Sequence, residues 1–277
     1  MSFDLFDPAR AGEVPADIAD GLEVSREERG AFGSPLFYLP VIGSTNDAAA
    51  RLADAGAGEG TTVVAEAQTA GRGRHGRAWC SPPGAGLYVS TVFRPDKAGE
   101  RGALPSLLTL MSGVALADAV RETTGMDVEI KWPNDLVIGR RKLAGILAEA
   151  SALGSALEYV VLGFGINIHA AAYPPEVAAR ATSLEEELGR GVDRARLLAR
   201  ALVNLARCRA ALAGGRVSEV LDRWRARAPS AVGAPIEWVI GGAARRGRTA
   251  GLGDDGALLV EMDGAVERVV AGEITWL

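Results

Sequence analysis

The stretch Gly71-Arg72-Gly73-Arg74-His75-Gly76-Arg77-Ala78-Trp79 puts three arginines, three glycines and a tryptophan into nine residues. It cannot be packed core, because guanidinium groups stay charged at any working pH. The chain must therefore carry it as a surface loop between elements that can be buried. Thr61 to Ala67, β-branched and alternating, and Gly86 to Phe93 read as the strands on either side. Gln68 and Thr69 close the first strand, and Pro82, Pro83, Gly84 and Gly86 interrupt the rest of the connection. Long loops in compact domains are usually functional lids or disordered segments. From Ala67 to Pro95 there is no Asp or Glu, although the chain carries 35 acids in 277 residues. Glycines let the main chain approach a ligand closely, so the loop suits closure over an anion. A flexible, solvated basic loop is the competing reading from this stretch alone.

The same residues spell G-x-G-x-x-G, the dinucleotide fingerprint. That motif needs a helix directly behind the glycines and an acid about 20 residues on. Here Trp79-Cys80-Ser81-Pro82-Pro83-Gly84 follows, which cannot open a helix, and the next acid is Asp96 after a strand-like run. The Rossmann reading is rejected. With 48% hydrophobic and 23% charged residues the chain reads as a globular protein of one large or two unequal domains. A net charge of -5 argues against generic nucleic-acid binding. Cys80 and Cys208 match no metal spacing. The first ten residues lack a signal-peptide pattern and no apolar run is long enough to span a membrane, so a cytoplasmic protein is expected.

In chain order, residues 1–33 suggest a short helix or two and a linker. Leu36 to Ile42 reads as a strand, and Asp47 to Ala53 as a helix with Ser44 or Thr45 as N-cap. Capping alone accounts for Ser44-Thr45-Asn46. Alternatively, these side chains and the free helical N–H groups bind a polar head group. Leu104 to Thr123 has the spacing of an amphipathic helix with a broad apolar stripe, and is assigned to core and scaffolding. Val128 to Trp132 is a strand stopped by Pro133, with Asn134-Asp135 in a turn. Leu136–Ile138 and Leu143–Glu149 are the arms of a hairpin bending at Gly139 to Lys142, and Gly145 suggests close backbone approach. Tyr159 to Ile168, apolar with two glycines, reads as a central buried strand. Asn167 in it is a core hydrogen-bonder or a ligand contact. Helices follow at Asp193–Leu212 and Val217–Ala228. After Pro229, five short alternating runs separated by glycine turns predict a small all-β unit.

Ser44-Thr45-Asn46, Gln68, the Gly71–Trp79 loop, Lys131-Trp132-Pro133-Asn134-Asp135, Lys142-Leu-Ala-Gly-Ile-Leu147 and Gly163-Phe-Gly-Ile-Asn167 stand in the order found in biotin protein ligases. The resemblance covers residues 36–277, and the chain looks like the short, monofunctional form without the repressor's DNA-binding domain. It implies an α+β fold: a mixed sheet with helices, similar to class II aminoacyl-tRNA synthetases, plus an SH3-like C-terminal β-barrel. The implied division is an N-terminal extension (1–35), a catalytic biotin- and ATP-binding domain (36–228) and the SH3-like domain (229–277). It also implies an ATP-dependent ligase. Biotin and ATP would give biotinyl-5′-AMP and pyrophosphate, and a lysine of the biotin carboxyl carrier domain of a carboxylase would then take the biotin. ATP, biotin and Mg²⁺ would be required. No nucleic acid or membrane is expected as partner, and the chain would be a monomer or homodimer.

The resemblance carries roles to individual residues. Ser44, Thr45, Asn46 and Gln68 would bind the biotin ring. Gly71, Arg72, Gly73 and Arg74 would fold over its tail and the phosphate, with Gly145 and Gly163 also on the biotin side. Lys142 would contact the carboxylate and α-phosphate and, with Arg74, supply catalytic electrostatics. Arg77, Trp79, Lys131, Asn134 and Asn167 would serve the nucleotide, with Trp79 stacking on the adenylate or anchoring the loop. Asp135 would orient Lys131 or a water on Mg²⁺. His75 stands where many members carry a basic residue, and His169 is expected at the surface. A lipoate or octanoate transfer enzyme, a biotin sensor or DNA-binding repressor, and an RNA-contacting nucleotide module are the alternatives.

Overall fold

The computed structural model describes residues 11–95, 104–153, 156–170, 173, 175–240 and 243–277; the readings placed on residues 1–10 and on the Gly241-Gly242 turn lie outside them. Helices α1 (Ala16–Val24) and α2 (Arg26–Arg29) lead into β1 (Leu36–Ile42), α3 (Thr45–Asp54), β2 (Thr62–Gln68) and β3 (Gly86–Phe93). Then come α4 (Leu104–Thr124), β4 (Glu129–Lys131), β5 (Asp135–Ile138), β6 (Arg141–Leu153) and β7 (Ala156–Asn167). Short α5 (Pro175–Ala178) and α6 (Leu184–Leu188) precede the long α7 (Arg194–Ala213) and α8 (Val217–Ala226). The tail is β8 (Val232–Ile240), β9 (Ala243–Leu252), β10 (Leu258–Met262), β11 (Ala265–Val269) and β12 (Ile274–Trp276).

Seven strands form a mixed sheet in the order β1-β2-β3-β7-β6-β5-β4. Only β1 and β2 run parallel, joined by α3 as crossover; the other pairs are antiparallel. The five tail strands form a second, antiparallel sheet in the order β11-β10-β9-β8-β12. It is the small all-β unit that the glycine turns predict.

The large sheet is covered on both faces. Along β7, Val160, Leu162, Phe164 and Ile166 enter a core shared with α4 and α7. Tyr159 and Val161 point the other way and pack with Ala48, Ala49 and Leu52 of α3. Strand alternation explains the division. Helix α4 is core scaffold, as its broad apolar stripe suggests, and it is covered on more than one side. Every residue from Met111 to Val120 is buried, because the sheet, α7 and α8 surround it. Even Asp118 is inside, where Arg223 and Arg227 neutralise it. The N-terminal segment is also more than a linker. Ile18 and Leu22 join the main core, and Arg29 is buried with its guanidinium donating to the carbonyls of Leu22 and Phe32.

Candidate functional site

The second row of β7 continues from Tyr159 and Val161 to Gly163 and Gly165. Side chains stop there, so a cleft opens on the face that α3 covers further along the sheet. Gly145 of β6 pairs with Gly165, and Leu147 of β6 and Ser90 of β3 flank Gly163. The floor is thus bare backbone across two strands, and other side chains rest on it. A Cβ at Gly163 would lie 2.1 Å from Oδ1 of Asn46. One at Gly165 would lie 2.4 Å from Nε1 of Trp79, and one at Gly145 would meet the Trp79 ring at 3.0 Å and Cε of Lys142 at 3.1 Å. The close approach anticipated at Gly145 is therefore made by Trp79 and Lys142.

One end of the cleft is polar. Ser44 takes the N-cap position of α3 without a side-chain capping bond; its helix opens against Gln68 instead. The Thr45 backbone N–H donates to Gln68 Oε1 at 2.8 Å, and the Thr45 hydroxyl donates to the same oxygen at 3.1 Å. Gln68 Nε2 donates to Ser81 Oγ at 2.9 Å, which fixes the amide orientation. Ser90, buried beneath, lies 2.8 Å from Thr45 Oγ1 and 2.5 Å from Asn46 Oδ1. Asn46 Nδ2 donates to Glu149 at 2.5 Å. Ser81, Ser90 and Glu149 were not legible as site residues. For Ser90, a hydroxyl at the centre of a mostly apolar strand, beside Thr91, was the available signal.

Two residues along the strand, about 7 Å away, the cleft becomes aromatic and cationic. Lys142 Nζ sits 5.4 Å from the centroid of the Trp79 ring and 2.6 Å from Asp135 Oδ1. Asp135 stands at the start of β5, directly opposite Gly145. Asn134 ties its strand connection to β6, donating from Nδ2 to the Ile146 carbonyl at 2.7 Å.

The arginine loop is folded over this floor. Arg72 and Ala78 form an antiparallel bridge, Gly73 N–H donates to the Arg77 carbonyl at 2.7 Å, and Trp79 N–H donates to the Gly71 carbonyl at 2.9 Å. A single 3-10 turn, Arg74–Gly76, makes the tip, with His75 in the left-handed region at φ 56°. The arginines are not free. Arg72 pairs with Asp47 at 2.7 Å and Glu149 at 3.0 Å. Those partners, Asp47 foremost, push its pKa above the usual guanidinium value. Arg77 pairs with Glu273 at 2.6 Å, and Arg74 donates to the Gly272 carbonyl at 3.0 Å, so the second sheet also grips the loop. Burial lowers the Arg74 pKa, opposed by Asp135 and Glu273.

The cleft thus gathers Ser44, Thr45, Asn46, Gln68, Arg72, Gly73, Arg74, Arg77, Trp79, Asn134, Asp135, Lys142, Gly145 and Gly163. His75 and Glu273 also line it. Gly71, Lys131 and Asn167 do not. Gly71 is pressed against the Trp79 carbonyl, where a Cβ would lie at 2.6 Å. Lys131 sits at the sheet edge beneath Trp276. Asn167 donates to the Thr182 carbonyl at 2.9 Å and lies 3.5 Å from that of Lys142, the core hydrogen-bonding role. His169 is half-exposed and bonded to Glu185 at 2.5 Å. Among the described residues no three His, Cys, Asp or Glu side chains converge to hold a metal, and Asp135 is engaged by Lys142. These residues do not fit a protein-built metal cage.

A family model described as the Biotin/lipoate A/B protein ligase family matches residues 38–167. Similar sequences include the bifunctional ligase/repressor BirA of Bacillus subtilis, 34% identical over 245 residues, or 87% of this chain and 74% of the relative. The biotin–[acetyl-CoA-carboxylase] ligase of Paracoccus denitrificans is 35% identical over 238 residues, or 83% of this chain and 96% of the relative. Among solved structures, the biotin protein ligase of Aquifex aeolicus in complex with biotin and ATP aligns with a TM-score of 0.76 at 28% identity, covering 87% of this chain and 98% of that one. Among the described residues no helix is long and apolar enough to cross a membrane.

Proposed function

Because this chain belongs to the Biotin/lipoate A/B protein ligase family, among relatives that are biotin ligases, we propose that it is an ATP-dependent ligase that joins biotin to a lysine of a carboxylase's biotin carrier domain. One observation carries the reading. A single cleft has a hydrogen-bonding end built from Thr45, Asn46 and Gln68, and, about 7 Å along the strand, a cationic end built from Lys142. Biotin has the matching polarity, with a ureido ring at one end and a carboxylate at the other.

In the first step a biotin carboxylate oxygen attacks the α-phosphorus of ATP. The bond from that phosphorus to the β-phosphate bridging oxygen breaks, and pyrophosphate leaves with the electron pair. Two anions must meet, and placed cations stabilise the charge that develops. Lys142 and Arg74 have that task. Lys142 is held ready by Asp135 and the Trp79 ring, and it exchanges the Asp135 carboxylate for the reacting oxygens. Mg²⁺ comes on the ATP phosphates, whose oxygens are its ordinary ligands. In the second step the carrier lysine amine attacks the acyl carbon of biotinyl-5′-AMP, AMP leaves with the anhydride oxygen, and the amine proton passes to solvent. The folded loop excludes water from the mixed anhydride.

Ser44, Thr45, Asn46 and Gln68 hold the ring over Gly163, with Gly73 giving backbone approach beside it; Gly71 seats the loop against the Trp79 carbonyl, and Gly145 makes room for Trp79 and Lys142. Arg72 and Arg74 cover the tail. Arg77, Trp79, Asn134 and Lys131 serve the nucleotide side, and Asn167 supports it through the Lys142 backbone. The test is pyrophosphate release from ATP with biotin, lipoate or octanoate supplied separately. Release with biotin alone supports the reading. Release with lipoate or octanoate alone moves the chain to the sister activity, and no release with any of them refutes the first step.

A further inference from the structure

A side-chain contact links an edge strand of each sheet. β4 is the last strand of the large sheet and β12 the last of the small one. Lys131 ends β4, and its Nζ lies 5.0 Å from the centroid of the Trp276 ring on β12. β12 is only three residues long and is held by β8, with Trp276 opposite Ile236. The Trp276 indole Nε1 is buried without a hydrogen-bond partner among the described residues. A hydrogen bond therefore does not explain the ring's position; packing against the main core and the ammonium on its face do.

Lys131 needs such a partner. Among the described residues no carboxylate lies within 4 Å of its Nζ, because Asp135, its cross-strand neighbour, is taken by Lys142. Burial lowers the Lys131 pKa; Asp135 and Glu273 oppose that fall, while Lys142 and Arg77 add to it. A half-buried ammonium without an ion pair is held by what packs on it, and here that is an aromatic face.

We propose that Trp276 is a positioning residue from the small sheet that fixes the Lys131 ammonium beside Asp135, and so sets the affinity for ATP without touching biotin. The proposal rests on the ligase reading for the identity of the substrate, and on the Trp276–Lys131 contact alone for the positioning. When an anionic ligand draws Lys142 away, Asp135 is left beside Lys131, its cross-strand neighbour, and a Lys131 held in place can compensate it. The small sheet would thereby act on the nucleotide side as well as on the arginine loop.

The experiment uses the full chain with Trp276→Leu and Trp276→Phe. Leucine keeps an apolar side chain but has no π face, whereas phenylalanine keeps the face. Trp276→Leu should raise KM for ATP by about 3- to 10-fold, with KM for biotin and the Tm little changed, and Trp276→Phe should recover most of the loss. Equal shifts for both substrates, or no rescue by phenylalanine, overturn the proposal. A second readout does not depend on activity. Acetic anhydride labelling of Lys131, followed by mass spectrometry, should be slow in the wild type and in Trp276→Phe and faster in Trp276→Leu; equal rates in all three overturn the contact. If wild-type protein releases no pyrophosphate with biotin, the ligase reading fails while the labelling still decides the positioning.

Discussion

Gly163→Ala tests the bare floor of the cleft. The added Cβ would stand 2.1 Å from Oδ1, 2.9 Å from Cγ and 3.1 Å from Nδ2 of Asn46. Ordinary contact is about 3.5–4 Å, so the Asn46 amide must move by about 1 Å or more. It has no slack, since Ser90 holds its oxygen at 2.5 Å and Glu149 its nitrogen at 2.5 Å. Moving it breaks one neutral and one charge-assisted hydrogen bond, together about 2–4 kcal/mol. If about 2–3 kcal/mol of this appears in the bound state, biotin binds about 30- to 150-fold more weakly. The assay is biotin titration by calorimetry, with KM for biotin and for ATP from pyrophosphate release; ATP should change little. In an Asn46→Ala background the alanine at 163 loses its three nearest neighbours, so its further cost should be under about 3-fold. Wild-type biotin affinity in Gly163→Ala, or losses that simply add in the double variant, would refute the reasoning.

Lys142→Ala should slow adenylate formation by about 10²-fold or more, the scale for losing a placed charge at a reacting centre; wild-type single-turnover rates would remove Lys142 from the mechanism. Arg74→Gly removes the loop's hold on the Gly272 carbonyl, so free biotinyl-5′-AMP and labelling of unrelated lysines should rise, and an unchanged level of free adenylate counts against the lid. Burial alone would raise the Glu66 pKa, yet the Tyr38 hydrogen bond and Arg194 hold it below its ordinary 4.5. A carboxyl depressed on folding contributes stability above that value and loses it as pH falls through the folded one. The fall in Tm below pH 4.5 should therefore be shallower in Glu66→Gln, and an identical slope would show that the triad contributes nothing.

Local patterns carried most of the fold into the sequence. Leu36–Ile42 and Gly86–Phe93 are strands with the bounds their residues suggest, and the tail's five runs are five strands, because period-two alternation and glycine turns are local signals. Helix α4 was legible as core scaffold, but its spacing reports one apolar stripe and says nothing of what covers the other side. At the site, Lys142 alone read as a solvated loop lysine and Asn46 as part of a cap, but Asn46, Gln68, Trp79 and Lys142 were legible through the order of the motifs that carry them. Their partners were not. Asp47, Glu149 and Glu273 lie 25, 77 and 196 positions from the arginines they meet, and nothing local distinguishes them from the chain's other acids. Asn167 read equally as core or ligand contact, and the carbonyls of Thr182 and Lys142 decide its immediate partners.

The carboxylates on Arg72, Arg77 and Lys142 give the cleft its own counter-ions. An arriving carboxylate or phosphate displaces a tethered acid rather than a dissolved salt ion. Binding there is an ion exchange within the protein, with little net change in free ions. The salt dependence of ligand affinity should then be much flatter than the count of basic residues suggests, because screening acts on both sides of the exchange. The displaced acids also remain close by, ready to retake the cations when product leaves, which favours release of a tightly held anion.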